Sequence, residues 1–467
     1  DVRHWRFVYQ SLMAMQVKLK QVNTQIYIFK QEAKFVFEQL NQQFKINTVF
    51  SHEEIGNKIT FDRDLEMKSF FKQQNIQWKE YQTNGVIRKL SNRKNWKQLW
   101  EQRMNQIPKI VKEDNWIFAK LPNQYFQSIK GEELADEIKT EDKNFQPGGE
   151  EFAWRYLEGF IKERHQNYSK HISKPALSRK SCSRLSPYIT YGNISMRMVF
   201  RYAMQHYHKV PNKRALSNFT SRLYWHCHFI QKLESEPSIE FHNMHRGYDG
   251  LREADFNQDY FEALQQARTG WPMVDACVTM LKETGWLNFR MRAMLVSVAA
   301  YPLWLHWRPV GQWLATQFLD YEPGIHWSQM QMQSGTTGIN TTRVYNPIKQ
   351  AQDQDPHGKF VRRWLPYMRR VPDTFLFEPW LMPHDLQAQY GLEIGKSIPL
   401  PVVDLAIATR QSKQMLHGRR QDPEVKAGKL AIVEKHASRK NLNKTKHKKS
   451  TEIQNSELVK QQLGFDF

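Results

Sequence analysis

Three stretches carry side chains whose types and spacing bear on chemistry. In residues 181–195, SCSRLSPYITYGNIS, the hydroxyls of Ser181, Ser183 and Ser186 precede Pro187. That is the pattern of a turn entering a helix, where free backbone N–H groups are capped by a hydroxyl or hold a phosphate. Both uses stay open on the spacing alone. In residues 284–296, TGWLNFRMRAMLV, an apolar run carries Asn288, Arg290 and Arg292. Positions two apart on a helix diverge by about 200°, so one arginine is expected to face inward and the other solvent. The third stretch, SRLYWHCHF at 221–229, sets His226, Cys227 and His228 side by side. Its alternate residues diverge in the same way and no second ligand pair is well placed, so no metal is expected.

The elements that must position these groups differ between the two ends of the chain. In the first 80 or so residues, β-prone runs at 25–30 (QIYIFK), 46–52 (INTVFSH) and 76–81 (IQWKEY) alternate with helical patterns. This alternation predicts a Rossmann-like parallel α/β layer over residues 1–107. Residues 108–150 are polar, with Pro122, Pro147, Gly148 and Gly149, and form an expected interdomain linker. Residues 151–405 are tryptophan-rich with helical periodicity and no strand series, predicting a large all-helical domain. Residues 406–467 form a basic C-terminal extension, expected to be partly disordered, with a charge run at 435–450.

Composition narrows the class of partner. The 68 Lys and Arg exceed the 47 Asp and Glu by 21 charges, which favours a polyanion, nucleic acid ahead of an anionic membrane surface. The longest apolar stretch, 294–305, is too short to span a bilayer and contains Pro302. Three cysteines without CxxC spacing suit a reducing compartment. The chain opens on Asp1 without a signal-peptide pattern. An intracellular, cytoplasmic protein (nuclear or organellar in a eukaryote), not secreted and with a missing N-terminal segment, is therefore expected.

Taken together, SRLSPY, SRLYWHCHF, the segments at 267–294, 306–324 and 343–366, and their order and spacing resemble the FAD-binding domain of the photolyase/cryptochrome family. The resemblance runs from about Tyr168 to Pro383 and continues weakly over 399–406. It implies a bent FAD inside the helical domain, its diphosphate held at Cys182, Ser183, Arg184, Leu185 and Ser186, where a thiol replaces one hydroxyl. Tyr168, His226, Trp286, Asn288, Arg292 and Asp320 take the other flavin-site positions, with Arg292 turned inward to pair with Asp320. Glu322 and His326 are the candidates to face the flavin ring. Arg290 and Arg343 are left for DNA phosphate.

The resemblance also marks departures. Trp225 keeps one tryptophan of the lesion pocket, but Arg222 stands where a glutamate is expected and Phe289 where an asparagine is. Of the tryptophans that carry electrons to the flavin, Trp307 matches the middle member and Trp327 the inner one approximately. The outer position has no tryptophan, with Phe256 and Tyr260 nearby. The front end is similar to the family's N-terminal domain but lacks its first strand and helix, so the antenna chromophore is unassigned. The function implied first is light-driven repair of pyrimidine photoproducts in single- or double-stranded DNA. The second is a blue-light photoreceptor with a signalling partner, and the third a helical nucleic-acid-binding protein without flavin.

Overall fold

Helix-forming and β-prone segments alternate at the front of the chain and build a small layer there. The structure, a computed structural model, describes residues 1–109, 116–339 and 343–436. Strand Thr48–His52 pairs in parallel with strand Gln77–Tyr81, Val49 opposite Trp78. The connection is helix Lys58–Gln73, as a parallel pair requires. Its Met67, Phe70 and Phe71 are buried with Ile76 against Val49 and Trp78, each large side chain contributing about 1.5–3 kcal/mol. The α/β front followed by an all-helical body is therefore the observed class.

The front layer differs from expectation at 25–30. That segment has the composition of a strand but joins the ladder nowhere. Its one bridge is Lys30 to Gly131. Tyr27 and Phe29 pack edge-on against Phe126, and the Tyr27 hydroxyl accepts a bond from the Leu121 N–H at 2.9 Å. The aromatic residues that suggested a strand are thus used by residues 121–131 of the expected linker. That linker carries two short helices, Asn123–Ile129 and Asp136–Lys139. Ahead of them all, helix Val2–Lys20 buries Phe7 on Tyr188 and Tyr191 of the helical body.

In the body, helix Lys213–Ser235 and helices Pro272–Thr284, Phe289–Ala300, Trp307–Gln317 and Pro323–Ser334 enclose a core that includes Trp271, Trp307 and Trp327. Proline at the first turn starts two of these helices, where its missing N–H costs nothing. Gly285 ends helix Pro272–Thr284 in a left-handed conformation, φ +65°. A Cβ there would lie 2.9 Å from that of Leu319, and the Gly285 carbonyl accepts a 2.8 Å bond from the Leu319 N–H. This close approach brings Asp320 beside the start of helix Phe289–Ala300.

The basic extension does not begin as a loose tail. Helices Leu405–Gln421 and Pro423–His436 dock through Leu416 and Val425 onto Tyr248, Ala300 and Tyr301. Apolar side chains spaced through an otherwise charged segment supply the docking face. The rest of the charge run, 437–450, and the chain to 467 lie outside the described residues. Among the described residues no helix is long and apolar enough to cross a membrane.

Candidate functional site

Four elements converge on one cavity of about 390 Å³. They are the turn at 182–186, helix Lys213–Ser235, the start of helix Phe289–Ala300, and the chain from Phe318 into helix Pro323–Ser334. Of the site residues expected from sequence, all border this cavity except Trp307, Trp327 and Arg343.

The hydroxyl-rich turn divides its labour. Ser181 is taken by His171 Nδ1 at 2.7 Å, while Ser183 and Ser186 line the cavity. Neither caps the short helix Ser186–Thr190, whose N-terminus has no side-chain bond. Arg184, at φ +60°, is buried; its Nε and Nη2 donate to Gln146 Oε1 at 2.9 and 2.6 Å, and its guanidinium lies 4.3 Å over the Trp286 ring. Burial, then the nearby Arg179, lower its pKa, so an anion in the cavity relieves a desolvated cation. Burial pushes the neighbouring Cys182 thiol up to about 12, which keeps it neutral. Gln146, distant in sequence, carries no motif that would have marked it.

Beside the turn, Arg292 Nη2 donates to Asp320 Oδ2 at 2.9 Å and its Nε to the Leu287 carbonyl at 2.7 Å. The guanidinium also stacks 4.2 Å over Phe318. Burial raises the Asp320 carboxyl, but Arg292 and the Ser186 hydroxyl outweigh it and leave the pKa below the ordinary value. Asn288 donates to the carbonyls of Ile172 and Ser173 at 3.1 and 3.2 Å. Arg290 departs from expectation: it is half-buried and lines the same cavity as Arg292 instead of simply facing solvent. The cavity is broad enough at the first turn of the helix to be bordered from both sides, so angular divergence does not separate the two.

Glu322 and His326, four residues apart, both border the cavity and are buried. Burial, then the charge of Glu54, raise the Glu322 carboxyl to about 8, so it is protonated at neutral pH. Burial lowers His326 to about 4, and its Nε2 bonds the Gly311 carbonyl at 2.8 Å, so the neutral ring carries its proton there. Behind it lies Trp327, ring centres 4.9 Å apart, and behind that Trp307 at 5.9 Å. Trp307 is anchored by its indole N–H on Asn243 Oδ1 at 2.8 Å. Phe256 packs on Phe261, 5.4 Å away.

At the opposite side, Arg222, Trp225 and His226 descend from helix Lys213–Ser235. Trp225 stands edge-on to His228 at 4.9 Å, and burial lowers His226 to about 4. Phe289 is 37% exposed while it borders the cavity, so the mouth lies there. Arg343 is set apart; its carbonyl accepts a 3.4 Å bond from Ser297. Gln329, Met330 and Tyr345 also border the cavity. None of the three is among the site residues expected from sequence. Among the described residues no group of three His, Cys, Asp or Glu could hold a metal ion.

The geometry defines a large, partly buried binding cavity lined by a cationic turn and, next to it, an ion pair. Sequence comparison places that cavity in a known lineage. The model of the FAD binding domain of DNA photolyase matches residues 219–418, and the DNA photolyase model matches residues 1–97. The chain is 24% identical over 436 residues to a deoxyribodipyrimidine photo-lyase of Alkalihalophilus pseudofirmus, covering 90% of this chain and 88% of that one. It is 24% identical over 471 residues to cryptochrome-1 of Aedes aegypti, covering 89% and 83%. A class III photolyase from Agrobacterium tumefaciens shares the fold, with TM-score 0.73 and 20% identity over 90% of this chain and 89% of that one. The chain belongs to the photolyase/cryptochrome family, and its cofactor is FAD.

The cavity residues fit that cofactor. His226 Nδ1, Asn288 Oδ1, Arg290 Nε and Gln329 Nε2 are buried without a hydrogen-bond partner among the described residues. Orphaned buried polar atoms are costly, and a dinucleotide with a polar ring system offers donors and acceptors to meet them.

Proposed function

We infer that this protein is a light-driven repair enzyme for UV-induced pyrimidine photoproducts in DNA. The observation that carries the reading is the lining of the cavity, in which Phe289 and Trp225 are aromatic and Arg222 and Arg290 cationic. A base flipped out of the helix needs an aromatic wall to stack on and a positive rim for its flanking phosphates.

The light-driven one-electron chemistry would be supplied by FAD bound in the cavity, being the cofactor's own. Ser183, Ser186 and Arg184 would hold its diphosphate, with Cys182 and Leu185 shaping the turn. Asn288, Trp286, His226 and Tyr168 would fix its ring and linker. The pair of Arg292 and Asp320 would hold a fixed dipole against the ring, and Glu322, protonated, would donate a hydrogen bond to it. Trp307 and Trp327 would pass electrons toward the ring. Arg343, apart from the cavity, would contact phosphate. DNA is the partner, and the place of action is intracellular.

The test is illumination of the reduced protein with oligonucleotides carrying each of the two major pyrimidine photoproducts, single- and double-stranded. Restored bases are the expected result. A second reading, a blue-light photoreceptor with a protein partner, draws on Arg222 and Phe289, which replace the lesion-binding residues implied by resemblance. No repair of either photoproduct, with a light-dependent change in protease sensitivity of the C-terminal segment, would favour it. A colourless protein that takes up no FAD would remove both.

A further inference from the structure

Helix Leu405–Gln421 contains no Asp or Glu; carboxylates flank it only at Asp404 and Asp422. Its inner side is set by Ser412 and Leu416, both buried. Arg419 belongs to that side too, donating to Asp422 Oδ2 at 3.0 Å and to the Asp249 carbonyl at 2.9 Å. On the outer side, Arg410, Lys413 and His417 recur at intervals of three and four residues. At 100° per residue they share a face about 60° wide. Arg420 is half-buried near Tyr301. Arg410, Lys413 and His417 are exposed, and the next helix adds exposed Lys426 and Lys429.

Among the described residues no ion pair engages Arg410, Lys413, Arg420, Lys426 or Lys429. A surface helix of ordinary design intersperses both signs of charge. Like charges along one face repel, and that repulsion is relieved when a polyanion lies against them. The spacing suits a regular one. From Arg410 to His417 the stripe is about 10 Å long, and phosphates of one DNA strand recur about every 3.4 Å.

We propose that this face is a second contact for the DNA backbone, independent of sequence and of damage. It rests on the reading of this protein as DNA-binding, but it is a different surface from the cavity mouth. The two helices dock at the Ala300 and Tyr301 end of helix Phe289–Ala300, whereas Phe289 and Arg290 open the cavity at the other end. The 12 residues of that helix separate them by about 18 Å, a span of about five base pairs. The face holds duplex non-specifically while the mouth samples for extruded bases.

The experiment uses the full chain and a short undamaged duplex, with affinity measured by fluorescence anisotropy over a range of salt. The variant Arg410→Gln/Lys413→Gln/Lys426→Gln/Lys429→Gln should bind more weakly. The slope of log K against log salt should become shallower by about 0.9 for each phosphate that is no longer neutralised. The charge-conserving variant Arg410→Lys/Lys413→Arg should keep the parental slope. Equal circular dichroism and flavin content set a folding defect aside. An unchanged slope in the quadruple variant overturns the proposal. So does an unchanged DNA slope with weakened binding to phosphatidylserine vesicles, which would assign the face to a membrane. Because the duplex is undamaged, failure to repair either photoproduct would remove the proposed function and leave this result intact.

Discussion

A guanidinium and a carboxylate that leave water together are held by each other, and removing one leaves the other with an uncompensated charge. Arg292 and Asp320 are in that position, with Asp320 the more deeply buried. Arg292→Leu should therefore destabilise the protein by about 3–5 kcal/mol and lower its flavin content; unchanged denaturation and full flavin would show the pair to be incidental. Glu322 makes the opposite argument. Its folded pKa of about 8 lies above its unfolded value, so the folded state binds the extra proton. Stability from this group is full at low pH and falls as pH rises through the window from about pH 5 to about pH 8. Glu322→Gln should flatten that fall in the apoprotein, measured by denaturant titration at several pH values. An unaltered pH profile would mean that Glu322 is ionised and solvated.

At the scale of elements, Gly285 is the hinge of the site. Its positive φ and its 2.9 Å approach to Leu319 mean that any side chain there pushes the 319–320 segment away. Gly285→Ala should cost about 1–2 kcal/mol from the left-handed conformation alone, and more as Leu319 shifts. Weaker FAD retention in equilibrium dialysis is the expected readout, and retention equal to that of the parent would show that the segment tolerates displacement. The same scale explains what the sequence made legible. Periodic helices with Pro at their start and Gly at their end could be read directly, as could the turn at 182–186, because local chemistry fixes both. The segment 25–30 could not be read, since strand composition does not say whether a ladder partner is within reach. The bond between Gln146 and Arg184, and the convergence of Arg290 with Arg292 on one cavity, depend on packing between elements distant in sequence. Leu416 and Val425 were hidden by the basic residues around them.

Across the whole molecule, the front end and the helical body are joined by the packing of Phe7, Trp96, Trp100 and Met104 into the body's core and by hydrogen bonds. Gln231, fully buried, accepts from the Ile87 N–H at 2.8 Å and donates to the Ile87 carbonyl at 2.9 Å. Lys58 N–H donates to Glu240, and the Tyr321 hydroxyl to Asn57. Gln231→Leu should orphan both peptide groups of Ile87, at about 1–3 kcal/mol for each. Faster hydrogen exchange of the Ile87 amide, with the exchange of helix Pro272–Thr284 unaltered, is expected. Equal quickening everywhere would indicate global destabilisation instead. The net charge of +21 acts at this scale as well, drawing the protein to polyanions before any single contact forms.

The manner in which Gln231 grips its neighbour has an evolutionary corollary. An amide that clasps main-chain atoms asks nothing of the side chain at position 87. Position 87 itself can change without loosening the clasp, whereas Phe7, Trp96, Trp100 and Met104 are tied by shape to the core they enter.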